Sequence, residues 1–251
     1  MSPESAISSS ENSYFNAVDM RRATGLSERS QRELLKLGIL QAVPQSRTAT
    51  RLFNSRMLKR AAVIYPLHEH GGFSLQTSGK IIYADILLER TLEFIDPWRI
   101  RQRLSRSRAP GLEREWNLLT AKTPPVTQPD DYYIALINRH YVASGDANQL
   151  RVYGHLTEDR TDIVVYRGFV WDELITPSGK ISDQSPSEFH PEAALTGASR
   201  LFRSTDISTE EVETVRRAHR SPVSKFSVNV SLTLRMAIRR LLKIEDATCA
   251  N

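Results

Sequence analysis

Ser27, Glu28, Arg29, Gln31 and Arg32 stand close enough together to share the first two turns of one helix. Serine is a strong helix N-cap, because its hydroxyl accepts from a backbone N–H that the first turn leaves without a partner. A helix capped at Ser27 carries Arg29 and Arg32 at the end that a recognition helix inserts into the major groove of DNA. There a guanidinium bridges O6 and N7 of guanine, a contact worth ~1–3 kcal/mol of discrimination between bases. On a phosphate the same group adds affinity and salt dependence but no choice of base. Both roles stay open for each arginine.

The surrounding charge points the same way. Between residues 19 and 60, ten basic side chains (Arg21, Arg22, Arg29, Arg32, Lys36, Arg47, Arg51, Arg56, Lys59, Arg60) meet three acids (Asp19, Glu28, Glu33), a local charge of +7 in a chain whose total is +5. The remainder is therefore −2, so the basic excess belongs to one N-terminal module, whose expected partner is a polyanion. Arginine outnumbers lysine 27 to 7, which suits bidentate contacts, although a GC-rich genome yields the same bias.

Catalytic and metal-binding patterns are sparse. His140, His155, His190 and His219 are scattered, with no His-x-x-x-His, no Gly-x-Ser-x-Gly and no glycine-rich phosphate loop. His68 and His70 flank Glu69, and positions i and i+2 of a helix diverge, so joint ligation is not expected. A lone Cys249 leaves no internal disulfide and no thiolate cluster. The expectation is no catalytic residue, no cofactor and no metal. The most apolar run, residues 81–88, contains Tyr83 and Asp85 and falls short of the ~18 residues of a membrane helix. Residues 1–13, serine-rich with two glutamates, read as a disordered leader and not a signal peptide. A cytoplasmic chain without a membrane partner is expected.

Those residues need elements to position them. Asn16 caps a first helix that stops at Gly25, and Ser27 caps a second that stops at Gly38. Residues 39–51 are polar and β-prone, which predicts a small hairpin or wing. A third helix, capped at Asn54 or Ser55, should reach about residue 69 with a kink at Pro66. Ile81, Leu88, Leu92 and Ile95 then form an amphipathic seam, either a dimerisation face or internal packing, and Pro97 marks a boundary. The arginines between residues 99 and 108 read as a further nucleic-acid footprint or a solvated helix face. Residues 120–131, with three prolines, read as a linker. Residues 132–142, 149–156 and 162–171 predict an antiparallel meander with a turn at 144–146; then come a loop, a helix capped at Ser208 or Thr209, a strand at 226–232 and a helix at 234–244.

The pieces Phe15-Asn16-Ala17-Val18-Asp19-Met20, Ala23-Thr24-Gly25-Leu26-Ser27, Arg29-Ser30-Gln31-Arg32, Leu37-Gly38-Ile39-Leu40, Arg51-Leu52-Phe53 and Gly72-Phe73-Ser74-Leu75 occur in one order. In that order they resemble the MerR-type winged helix-turn-helix domain, also found in phage excisionases, over about residues 14–76. The resemblance implies a recognition helix at 27–37, a wing at 41–53 whose Arg47 and Arg51 touch flanking backbone or minor groove, and dimerisation through a later helix. Arg21 stands where the family usually has a small alanine, Gln31 where it usually has leucine, and Phe53 where tyrosine is common.

The expected fold class is α+β: a leader (1–13), the winged domain (14–76), a helical connector (77–119), a linker (120–131) and a C-terminal α+β module (132–251). The expected function is a sequence-specific transcriptional regulator of the bacterial nucleoid, not an enzyme. It would bind double-stranded DNA as a homodimer through Arg22, Ser27, Arg29, Gln31, Arg32, Lys36, Arg47, Arg51 and Phe53, with a small-molecule or protein partner on the C-terminal module. The alternatives are an excisionase-like or antitoxin-like protein, and a DNA-targeted enzyme with its active site in 132–251.

Overall fold

The computed structural model describes residues 14–43, 51–85, 87–106, 109–166, 173–175, 181–183 and 203–244. In chain order its elements are β1 (Tyr14–Phe15), α1 (Ala17–Thr24), α2 (Glu28–Lys36), β2 (Phe53–Asn54), α3 (Ser55–Glu69), α4 (Leu75–Ala84), α5 (Leu88–Phe94), α6 (Pro97–Leu104) and α7 (Pro110–Thr120). They continue with β3 (Tyr132–Ile137), β4 (Tyr141–Asp146), β5 (Leu150–Leu156), β6 (Ile163–Tyr166), β7 (Glu173–Ile175), β8 (Ile181–Asp183), β9 (Arg203–Thr205), α8 (Thr209–Arg220), β10 (Lys225–Asn229) and α9 (Val230–Leu242). The chain is α+β, and among the described residues no helix is long and apolar enough to cross a membrane.

Contacts divide the chain into two units that interleave in sequence. Met1–Pro66, Glu89–Gln128 and Ser231–Asn251 form one; Leu67–Leu88 and Pro129–Val230 form the other. This differs from the consecutive modules expected at 14–76, 77–119 and 132–251, because α4 joins the sheet and most of α9 joins the N-terminal helices.

In the first unit, local chemistry sets the helix ends. Asn16 Oδ1 accepts from the N–H groups of Val18 (2.9 Å) and Asp19 (3.0 Å), while the Asp19 carboxylate accepts from Asn16 N–H (3.2 Å), a complete capping box. Gly25 ends α1 at φ +86°, and a Cβ there would lie 2.9 Å from the Tyr65 ring. Ser27 Oγ accepts from Ser30 N–H (3.1 Å) and starts α2. β1 pairs antiparallel with β2, setting Phe15 opposite Phe53, and Val43 N–H donates to Leu52 O (2.8 Å) at the base of the segment expected to be a wing. Residues 44–50, Arg47 among them, lie outside the described residues. Met20, Leu26, Leu34, Phe53, Leu58 and Ile64 fill the core, each buried side chain worth ~1.5–3 kcal/mol. The expected strand at 226–232 ends at Asn229, since Val230, Leu234, Ala237 and Ile238 recur at helical spacing and are buried along α9. On α9, Arg235 makes a bidentate pair with Glu115 of α7 (2.8 Å to each oxygen), both side chains buried.

In the second unit the strands run in the order β10-β3-β4-β5-β6-β9, antiparallel except for β6 with β9. Ala135, Ile137, Tyr141, Ala143, Val152 and Tyr166 pack with Val215 and Ala218 of α8. Residues of the other parity meet α4: Tyr132 Oη donates to Asp85 Oδ1 (2.7 Å) and Tyr153 Oη to Ile81 O (3.1 Å). Thr77 of α4 donates to Arg160 O (3.0 Å), and Lys80 pairs with Asp162 (2.9 Å).

One expectation fails here for a local reason, and one open reading is narrowed. The first hairpin turns at Asn138 (φ 52°) and Arg139 (φ 57°), not at residues 144–146, because a consecutive left-handed pair matches the strand twist; 144–146 lie within β4. Of the two readings of the seam of Ile81, Leu88, Leu92 and Ile95, the burial of all four side chains accords with internal packing; α4 stops at Ala84, and Asp85 Oδ1 accepts from Leu87 and Leu88 N–H (3.1 and 3.2 Å).

Candidate functional site

α2 presents one polar and one packed face. Glu28, Arg29, Arg32 and Lys36 are exposed on it, joined by Arg21 and Arg22 of α1 and by Arg51 just before β2. Arg32 Nε donates to Glu28 O (3.3 Å), and Arg22 lies 3.8 Å from Asp19, an exposed pairing that holds little energy. Arg32 and Arg51, from separate elements, line one cleft of about 370 Å³ together with Ala17, Glu28, Gln31, Leu35 and Phe53.

Two of the residues expected to contact DNA are packed inside instead. Gln31 is 2% exposed; its Nε2 donates to Ala17 O (3.1 Å) and Leu26 O (3.0 Å). The amide therefore clamps the start of α1 and the turn onto α2, the job that a leucine would do by packing alone. Phe53 is 1% exposed, its ring part of the core. Ser27 is exposed, with its hydroxyl engaged as the cap. Arg21, in an alanine-like position of the expected pattern, points outward and leaves the packing of α1 undisturbed.

The local charge of the first 60 residues is also partly neutralised within the fold. Lys59 Nζ donates to Asp96 Oδ2 (2.8 Å) and to Leu92 O, and burial pulls its pKa down against the opposing pull of Asp96. Arg56 and Arg60 both reach Glu89. Hence two of the ten cations counted between residues 19 and 60, Lys59 and Arg60, are buried, and a third, Arg56, is paired at the surface, so the remaining outward charge gathers on α1, α2 and Arg51. Arg99, Arg101 and Arg103 on α6 and Arg106 just after it are exposed, Arg99 lying 3.5 Å from Glu93.

A second cluster sits on the face of the sheet that carries α8. The rings of His140 and His155 stack with centroids 5.2 Å apart. Tyr166 Oη donates to Glu211 Oε1 (3.0 Å), and His155 Nδ1 lies 3.1 Å from the same hydroxyl. A tyrosine has one proton to give, so with that proton on Glu211 the oxygen accepts from Nδ1–H, leaving the His155 Nε2 lone pair unengaged by this network. Burial holds both imidazoles below their ordinary 6.5; for His140 the neighbouring His155 adds to this, while Glu211 opposes it at both rings. Burial and the Glu211 contact push the Tyr166 phenol up.

The backbone explains the meeting. His140 follows the left-handed pair Asn138–Arg139, and Asn138 Oδ1 ties that turn down by accepting from Val223 and Ser224 N–H (2.8 and 3.2 Å). In the β4–β5 ladder Tyr141 faces His155 and Ala143 faces Val152, so β5 carries one extra residue. That bulge turns His155 to the same face as Val152. Nothing in the spacing of four scattered histidines foretells the pairing; the usable signal was Asn138 as a turn residue.

Comparison with protein-family models, curated proteins and solved structures finds no match to this chain.

Proposed function

We propose that the N-terminal unit is a winged helix-turn-helix that binds double-stranded DNA in a sequence-specific way, and that the protein is a transcriptional regulator. The observation that carries the reading is α2 itself. Its Ser27 cap and its buried Gln31 and Leu34 hold one face, while Arg29, Arg32 and Lys36 stand exposed on the other. That is the presentation a major-groove reader requires. Arg51, sharing a cleft with Arg32, adds a second element that contacts the backbone beside the groove. One such unit reads few base pairs, so a second copy on a neighbouring half-site would supply the rest of the specificity.

The test is fluorescence anisotropy at two salt concentrations, with DNA from upstream of the coding sequence and with a scrambled duplex. We expect preference for the upstream DNA, lost in the Arg29→Ala, Arg32→Ala double variant. Equal binding to both duplexes that only tracks salt, or no binding, overturns the reading.

A further inference from the structure

We propose that the cluster of His140, His155, Tyr166 and Glu211 is an acid–base centre that cleaves single-stranded RNA by transesterification, with His155 as base and His140 as acid. The inference stands apart from DNA binding, since it uses residues of the other unit only.

The chemistry follows from what the cluster holds. Glu211 and Tyr166 fix the tautomer of His155, so that Nε2 carries the lone pair, the arrangement in which a third group orients a general base. The base remains reachable, its side chain 21% exposed beside a Glu211 that is 33% exposed. The cluster itself contains no serine, cysteine or lysine to attack a substrate. The substrate therefore brings its own nucleophile, and a ribose 2′-hydroxyl beside a phosphodiester is one that acid–base groups alone can activate.

The rim favours a phosphate. Arg139 precedes His140, and Arg160 lies close enough to His140 for its charge to lower the imidazole's proton affinity. Both arginines are exposed, and both hold a left-handed backbone, at φ 57°, which is uncommon for so large a side chain. Backbone strain of this kind gathers at functional sites, and here the hairpin tip at Arg160 brings a cation close to His140.

In the step, His155 Nε2 takes the proton of the 2′-hydroxyl and the 2′-oxygen bonds to phosphorus. The bond from phosphorus to the 5′-oxygen breaks, and that oxygen takes a proton from His140 in its imidazolium form. The products are a 2′,3′-cyclic phosphate and a 5′-hydroxyl end. Nothing is oxidised or reduced, and water restores both protonation states. Because burial makes the His140 imidazolium scarce at neutral pH, the rate should peak on the acid side, with His155, Glu211 and Arg160 the charged groups acting on His140.

The experiment incubates the full chain with a single-stranded RNA oligonucleotide and its deoxy counterpart, and reads product ends by mass spectrometry. We expect cyclic-phosphate ends from RNA and none from DNA. His140→Ala and His155→Ala should each slow cleavage by ~10²–10⁴-fold. Tyr166→Phe, which alters a positioning residue, should slow it less and displace the pH profile. Should an alanine variant unfold, glutamine at the same position fills the space without taking a proton and serves the same comparison. No cyclic-phosphate product from the parent chain, or an equal rate in the His140, His155 double variant, overturns the proposal.

Discussion

The outer face of α2 and the histidine cluster of the sheet treat charge in opposite ways. On α2 the cations Arg29, Arg32 and Lys36 are neighbours in sequence and exposed, beside the likewise exposed Glu28 and Glu33. In the sheet, His140, His155, Tyr166 and Glu211 come from a turn, two strands and a helix, are half-buried or buried, and are joined into one network. A single helical period suffices to present charge to solvent, since one buried stripe determines which side faces out. Bringing titratable groups together under cover needs strand register, a bulge and a left-handed turn at once. Presentation is thus a local property of this chain, and assembly is a global one.

The strongest way to sharpen that contrast is at the most deeply buried pair of charges. Glu115→Ala leaves Arg235 without its bidentate partner in a site where both side chains are buried, and should cost about 3–5 kcal/mol in urea-induced unfolding. The Arg29→Ala, Arg32→Ala variant should stay within about 0.5 kcal/mol of the parent. If the two losses were similar, exposed and buried charge would not differ as argued.

Asp85 carries the contrast into pH. Burial pushes its carboxyl from an ordinary 3.8 up to about 6, although the hydrogen bonds from Tyr132, Ser144 and the N–H groups of Leu88 and Leu87 pull the other way. Because the folded value is the higher one, the folded chain binds this proton more tightly than the unfolded chain. Its contribution is fully present below about 3.8 and is lost as pH rises through about 6, a change of roughly 3 kcal/mol. Asp85→Asn keeps an acceptor for Tyr132 and for α5 but cannot ionise. Stability measured from pH 4 to 7 should fall less steeply in the variant; an unchanged slope would place the effect on another group.

How much of this was legible follows the same division. Asn16, Gly25, Ser27 and Gly38 announced α1 and α2 because caps and left-handed turns are chosen by single residues. Pro97 likewise marked the boundary at which α6 begins. The turn at Asn138–Arg139 went unread, since an arginine carries no turn signal, and with it went the position of His140. Gln31 and Phe53 were expected among the DNA contacts because spacing alone cannot weigh a polar amide that donates to two backbone carbonyls, or a ring whose partner Phe15 lies far along the chain. The placement of α4 on the sheet and of α9 against α7 depends on Tyr132, Tyr153 and Arg235 finding partners remote in sequence, which no local pattern reveals.

The smallest expected effect separates presentation from contact on α2. Ser27→Ala removes the acceptor for Ser30 N–H and should cost about 1 kcal/mol of stability, seen as a lower midpoint in urea. Ser27→Asp restores a cap and places a negative charge at the positive end of the helix, so stability should return. DNA affinity should not return with it, because a carboxylate beside Arg29 and Arg32 repels phosphate. Recovery of both properties in Ser27→Asp would mean that the helix start is remote from the nucleic acid, and would move the contact surface toward Lys36 and Arg51.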